Sequence, residues 1–286
     1  MDTRATTFEH HRSRLRGVAY RMLGSRSDAD DIVQDAYLRW HRAPTEEIRS
    51  PEAWLVTAVT RLAIDRLRQA KVEREAYVGP WLPEPLVTST SPAADVATEL
   101  ASSLSVAFLV VLERLAPEER AAFLLHEVFD SGYDEIAQTL GKSEAACRQL
   151  VSRARKRVHE ERPRVQVSEE ARTSLLDRFV QAIMAHDKEA LMSLLASDAT
   201  WVSDGGGKAR AALKPVVGAE HVARFALGVI GAHIDQLHFE HIRVNGEAGL
   251  ALYYADGRLL SVMSIQTDGA RILDVFSTLN PDKLPV

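Results

Sequence analysis

Gln149, Ser152, Arg153 and Lys156 lie opposite an apolar stripe, with Arg148, Arg155 and Arg157 on its flanks. These are side chains that hydrogen-bond base edges and neutralise phosphates. The stripe is Cys147, Val151, Ala154 and Val158, spaced i, i+4, i+7 and i+11, the repeat of one buried helix face. Ser143 supplies an N-cap for that helix and Glu144 suits the positive end of its dipole. Ahead of it, Ser131 with Asp134 fits a capping-box start, Ile136, Ala137 and Leu140 make a short apolar face, and Gly141 stops the turn. Two short helices joined by a tight glycine turn across 131–158 can set the second in a major groove. The same spacing also fits a helical hairpin with a solvated basic face.

With 286 residues, the chain suits two or three compact domains rather than one such unit. A net charge of −5 argues against wholesale coating of nucleic acid, so the local basic run at 142–164 matters more than the total. Cys147 is the only cysteine, which excludes an intrachain disulfide and a cysteine-based zinc site and makes a reducing cytoplasm the expected location. No membrane-spanning run or secretory signal is expected, since 3–26 is studded with Arg and His.

The first seventy residues read as three helices. The first spans 8–23 and ends at Gly24-Ser25; the second opens at Ser27-Asp28 with acids in its first turn. In the second, Ala29, Ile32, Val33, Ala36, Tyr37 and Trp40 share one face, leaving Asp31, Gln34, Asp35 and Arg39 outside. Ser50-Pro51 then starts a third helix, running to about residue 68, that carries Trp54, Arg61, Asp65, Arg66 and Arg68. Taken singly, those charges read as solvated surface and Trp54 as core.

Taken together, DADDIVQDAYLRW, SPEAWLVTAVTRLAIDRLR and LAPEERAAFLLHEVFDSGYDEIAQTLGKSEAACRQLVSRARKRV closely resemble a bacterial extracytoplasmic-function sigma factor across about 8–160. The resemblance implies that Asp31, Gln34, Asp35 and Arg39 meet core RNA polymerase at the β′ clamp helices, with the β flap as a further contact. It implies that Trp54, Arg61, Arg66 and Arg68 read the −10 element, where an unstacked base needs a pocket, stacking groups and cations. The family usually has Asn where this chain has Arg61. Ser143, Arg148, Gln149, Ser152, Arg153 and Lys156 match the −35 recognition helix. Expected boundaries are 1–70 for the core-binding and −10 region, 71–97 for a linker and 98–164 for the −35 region.

The linker holds GPWLPEPL and a Thr/Ser/Pro-rich tail without periodicity, yet Trp81 is costly to leave in water and implies docking. From 168 to 286, helices are expected at 171–185, 188–195 and 220–233, with strands at 199–203, 237–244, 249–254, 259–266 and 271–279. Asn245-Gly246 and Asp268-Gly269 mark hairpin turns. The expected fold class is therefore multi-domain: two all-α domains followed by an α+β domain with a curved antiparallel sheet. Asp204-Gly205-Gly206-Gly207-Lys208 lacks the Gly-Lys-Ser/Thr of a phosphate loop and reads as a turn exposing N–H groups.

The C-terminal order resembles the SnoaL-like cone fold, whose enzymes move protons with an Asp–His pair or a buried Asp. His186, Asp187, Asp198, Asp204, His221, His233 and His241 are available, and the sequence fixes no pair among them. His238 and His241 fall on opposite faces of an expected strand, so no metal is expected, nor any other cofactor. WLPEP, DGGGK and NPDKL together resemble a group of these sigma factors in which the fused SnoaL-like domain regulates. That implies regulatory contacts at Trp81, Pro83, Asp204, Gly205, Gly206, Gly207, Lys208, Asn280, Asp282 and Lys283. The expectation is a non-enzymatic initiation factor that binds core polymerase and promoter DNA, with a small-molecule ligand left open for the last domain. A ligand-responsive helix-turn-helix regulator and an active isomerase are the competing readings.

Overall fold

Gly24, at φ 66°, takes the left-handed conformation that ends the first helix, and Ser25 caps the next by accepting from the Asp28 N–H at 3.2 Å. The resulting helices are α1 (Thr3–Leu23), α2 (Arg26–Arg42) and α3 (Pro51–Glu75). This computed structural model describes residues 3–44, 48, 50–88, 105–161 and 167–285. The expected linker residues 89–97 lie outside the described residues. Leu15, Val18, Ala19, Met22 and Leu23 of α1 are buried with Ala29, Ile32, Val33, Ala36 and Trp40 of α2 and Leu55, Val59, Ala63 and Leu67 of α3.

Helix α3 continues seven residues past Arg68, into the start of the Pro-rich linker expected at 71–97. Two features carry it on: Ala70 is buried, and Arg66 forms paired hydrogen bonds with Glu73 at 2.9 and 3.0 Å while also bonding Asp28 at 2.9 Å. The bond to Glu73 raises the Arg66 pKa, and the same bond lowers that of Glu73.

The next helices are α4 (Val106–Leu112), α5 (Pro117–Glu127), α6 (Tyr133–Leu140) and α7 (Glu144–Glu161). Helix α6 is capped by Gly132, not by the expected Ser131. Ser131 is held in the preceding loop, its N–H donating to the Leu125 carbonyl at 2.8 Å. Gly141, at φ 63°, closes α6, and Ser143 Oγ accepts from the Ala146 N–H at 3.2 Å to start α7. The expected stripe Cys147, Val151, Ala154 and Val158 is buried, joined by Leu150.

By internal contacts the chain divides into two units: Met1–Glu75 with Leu109–Arg162, and Ala76–Phe108 with Pro163–Val286. The second unit contains α8 (Glu169–Met184), α9 (Lys188–Leu194), α10 (Ala219–Val229), a 3-10 turn (Gly231–Gln236) and a seven-stranded sheet. Its strands are β1 (Val87–Thr88), β2 (Leu195–Asp204), β3 (Val216–Val217), β4 (Leu237–Val244), β5 (Glu247–Tyr254), β6 (Leu259–Thr267) and β7 (Ile272–Thr278), in the order β1-β4-β5-β6-β7-β2-β3. The two all-α regions followed by an α+β domain are the architecture expected from the sequence.

The sheet is mixed rather than purely antiparallel, because β2 runs parallel to β7. Strand β2 enters from helices, so no hairpin dictates its direction. Asn245 (φ 53°) and Gly246 (φ 81°) form the expected tight turn between β4 and β5. The expected helix at 220–233 instead ends at Val229 and passes into the 3-10 turn. Phe179, Ile183, Leu191, Trp201, Val222, Ala226, Leu250, Met263 and Val275 fill the space between helices and sheet.

Candidate nucleic-acid interface

Helix α7 presents Gln149, Ser152, Arg148, Arg153 and Lys156 on its exposed side. Arg148 pairs with Glu144 at 2.6 Å and sits over the Tyr133 ring at 5.1 Å, which ties α7 to α6. Arg153 and Arg157 both reach Glu119 of α5, each at 3.0 Å, and Glu119 is only 7% exposed. Arg153 is therefore a brace for α7 as well as a surface cation. Gln149 and Ser152 hold no hydrogen bond to any described residue, so their polar atoms face solvent.

In α3, Trp54 packs its ring 5.6 Å from Trp40 and lines a cavity of about 500 Å³ together with Arg39, Ser50, Thr57, Arg61 and Gln138. Arg61 does not project freely: it donates to the carbonyls of Thr139 and Gln138 at 2.8 Å each, and Thr57 and Thr139 hydroxyls meet at 3.0 Å. The C-terminal carbonyls of α6, a helix's negative end, thus occupy a guanidinium that suits a phosphate. Arg66 is directed to Asp28 and Glu73, and Arg68 to Asp65 and Glu118 at 3.1 and 3.0 Å. The structure brings Trp54 and Arg61 to one cavity and holds Arg66 and Arg68 elsewhere. Asp31, Gln34 and Asp35 stand exposed on the opposite side of α2 from its buried face.

A buried ionic seam joins the two halves of this unit. Arg120, 2% exposed, donates to the Met22 carbonyl and to Glu113, both at 2.7 Å. Arg74 pairs with the other oxygen of Glu113 and donates to the Leu23 carbonyl at 3.1 Å. One carboxylate thereby serves two guanidiniums. Burial lowers the pKa of both, and the repulsion from Arg120 lowers that of Arg74 further. Sequence reasoning missed Glu113, Glu119 and Arg120; the one visible signal was an arginine beside the apolar Ala121–Leu125 run.

The second unit gathers the expected regulatory residues around Asp204, which is fully buried. Its Oδ1 accepts from Tyr77 Oη at 2.6 Å, and its Oδ2 accepts from the Leu82 N–H at 2.8 Å and from Lys283 Nζ at 2.7 Å. Lys283 also donates to the Leu82 carbonyl at 2.7 Å and lies 4.0 Å from the Trp81 ring centre. Asn280 Nδ2 donates to Tyr77 Oη at 2.9 Å, and its backbone N–H donates to the Asp204 carbonyl at 2.9 Å. Burial, reinforced by the bond to Asp204, pushes the Tyr77 pKa up. Pro83 is buried, and β1 pairs with β4 through Val87 opposite Val244.

The glycines make this approach possible. Gly206 and Gly207 have φ of 58° and 71°, and a Cβ on Gly206 would overlap the Asn280 amide. Gly205 is hemmed in by the Ala209 carbonyl. Lys208 and Asp282 form an ion pair on the exposed rim. Tyr77 and Leu82 were missed because an acceptor far along the chain leaves no local pattern.

The acid–base candidates do not converge. Asp187 caps α9, His221 bonds the Val217 carbonyl at 2.9 Å, and His241 pairs with Asp177 at 2.9 Å with both side chains nearly half exposed. His186, Asp198 and His233 are exposed, and the buried carboxylate of Asp204 is matched by Lys283. No helix among the described residues is long and apolar enough to cross a membrane.

Residues 7–72 match the sigma-70 region 2 family, and residues 105–158 match sigma-70 region 4. The chain is 41% identical over 288 aligned positions to the ECF RNA polymerase sigma factor SigJ of Mycobacterium tuberculosis, covering 96% of this chain and 91% of that one. It is 33% identical to the ferric citrate uptake sigma factor FecI of Escherichia coli, over 53% of this chain and 88% of that one. The crystal structure of the M. tuberculosis extracytoplasmic function sigma factor SigJ superposes with a TM-score of 0.79 at 36% identity, covering 98% of this chain and 97% of that one. With both sigma-70 regions in order and a full-length relative of this similarity, the chain belongs to the extracytoplasmic-function sigma factors, a family of initiation factors that bind core RNA polymerase and promoter DNA.

Proposed function

We propose that this sigma factor acts in the cytoplasm as a promoter-specific initiation factor whose two reading elements are packed together until they separate on promoter DNA, under control of the C-terminal domain. Asp31, Gln34 and Asp35, with Arg39 at their edge, dock on the β′ clamp helices, and the −35 region also contacts the β flap. Trp54 and Arg61 take the unstacked −10 base and its phosphate, with Arg66 and Arg68 supplying field rather than direct contact. Ser143, Arg148, Gln149, Ser152, Arg153 and Lys156 face the −35 element.

The observation that carries this reading is the contact between Arg61 and Thr57 of the −10 reader and Gln138 and Thr139 beside the −35 helix. Elements centred about 25 base pairs apart lie about 85 Å apart along a duplex at about 3.4 Å per base pair. Readers that touch at 3.0 Å cannot engage both at once. Control from the C-terminal domain is supported by the fastening of Tyr77, Leu82 and β1 into that domain, because this is the chain leading from one reader to the other. Tethered domains meet at high effective concentration, so modest changes in such contacts shift the open and closed populations. A C-terminal core packed with Phe179, Trp201 and Met263 favours control by contact over control by a ligand in the cone.

Run-off transcription with purified core polymerase tests the control: Lys283→Met should change promoter-specific transcript yield severalfold while binding to core polymerase is kept. Unchanged yield with a confirmed loss of the Asp204 contact would remove the C-terminal domain from the account.

A further inference from the structure

A cavity of about 680 Å³ lies within the first unit, between the C-terminal half of α3, the α4–α5 junction and Arg157 of α7. Arg68, Lys71, Arg74, Arg114, Arg120 and Arg157 line it against only Glu75 and Glu113. Its volume is that of a small-molecule site rather than of a packing defect. Part of the charge is answered from outside the lining, since Arg68 pairs with Glu118 and Arg157 with Glu119. Deeper in, Arg74 and Arg120 share Glu113, Asp28 and Glu73 also act on Arg74, and burial opposes the charge of both guanidiniums.

Three further features point to an anion. Arg120 is 2% exposed, and its Nε is a buried donor with no acceptor. Lys71 is exposed at the mouth and forms no ion pair with any described residue. The wall at Leu115–Pro117 is the N-terminal end of α5, an eleven-residue helix whose N-cap, Ala116, has no side chain to accept from the first-turn amides. A helix start, guanidinium forks and a lysine are the groups that hold phosphoryl oxygens.

We infer that this cavity binds a small phosphorylated polyanion, a nucleotide-like molecule or inorganic polyphosphate, which neutralises the Arg74–Arg120 pair. Because the wall is built from both halves of the unit, the occupant holds the −10 and −35 readers in contact and opposes promoter binding. Only that last consequence rests on the initiation reading; occupancy of the cavity does not.

The test is calorimetric titration of the full chain with inorganic tripolyphosphate and, separately, with ATP, using sulfate at equal ionic strength as control. Saturable binding of tripolyphosphate is expected. Each of Lys71→Ala and Arg114→Ala should weaken it about tenfold, the usual scale of one charge-assisted hydrogen bond. Arg12→Ala, which removes a distant surface cation, should leave it unchanged. Tighter binding of ATP would identify a nucleotide as the occupant, and equal binding would identify the polyphosphate moiety alone. Absence of saturable binding, affinity in Lys71→Ala and Arg114→Ala unchanged from that of the unaltered chain, or an equal loss in Arg12→Ala would overturn the proposal. So would protection of these residues from hydrogen exchange by promoter duplex but not by tripolyphosphate. Lys71 is exposed, so Lys71→Gln serves as a folded control for its charge. Failure here would leave the run-off assay of the C-terminal domain intact, and the converse also holds.

Discussion

Two ionic clusters in this protein each set a carboxylate against cations and reach different balances. Around Asp204 one carboxylate meets one ammonium, with Tyr77, the Leu82 amide and Asn280 satisfying the neighbouring groups. Around Glu113 one carboxylate serves two guanidiniums, and Arg120 Nε is left without an acceptor. A balanced site resists change and fixes geometry, which suits the fastening of the linker. A carboxylate shared between two guanidiniums leaves room for added negative charge, which suits the proposed opening and closing of the seam.

The comparison is broken most strongly at Asp204. Asp204→Ala leaves Lys283, only 6% exposed, without its counter-charge and should destabilise the C-terminal unit by about 3–5 kcal/mol. Chemical denaturation with hydrogen exchange resolved by unit would measure it, and tripolyphosphate should restore none of the loss. Glu113→Gln should cost the first unit about 3 kcal/mol, because buried Arg120 and part-buried Arg74 lose their shared carboxylate. Here added tripolyphosphate should recover part of the lost melting temperature; equal behaviour of the two variants would erase the distinction. Gly206→Ala should cost about 1–3 kcal/mol through its positive φ and the overlap with Asn280. Lys208→Ala, at the exposed rim pair with Asp282, should change stability by less than about 0.5 kcal/mol. A larger value would extend the Asp204 cluster to the surface.

What could be read from the sequence was what local spacing records. The stripe from Cys147 to Val158, the face of α2 and the Asn245-Gly246 turn follow from periodicity and turn chemistry, and all three are present. Resemblance supplied Trp81, Asp204, Asn280 and Lys283, which carry no shared local pattern, while Tyr77 and Leu82 of the same group were missed. Arg66 shows the limit: as a helical cation it reads as a nucleic-acid contact, whereas Asp28, thirty-eight positions away, claims it. Arg120 was overlooked for the same reason, since its acceptor is a carbonyl at the end of α1. The parallel pairing of β2 with β7 was equally hidden, because hairpin signals report only neighbours in sequence.

The claim that promoter reading requires the two readers to part is tested most directly by locking them together. Thr57 and Thr139 hydroxyls are 3.0 Å apart, so Thr57→Cys with Thr139→Cys places two thiols within bonding reach, while the native Cys147 is buried. Run-off transcription would be compared before and after reduction of that pair. The oxidised chain should still bind core polymerase but give no promoter-specific transcript, and reduction should restore it; equal transcription by the oxidised and reduced chains would contradict the account.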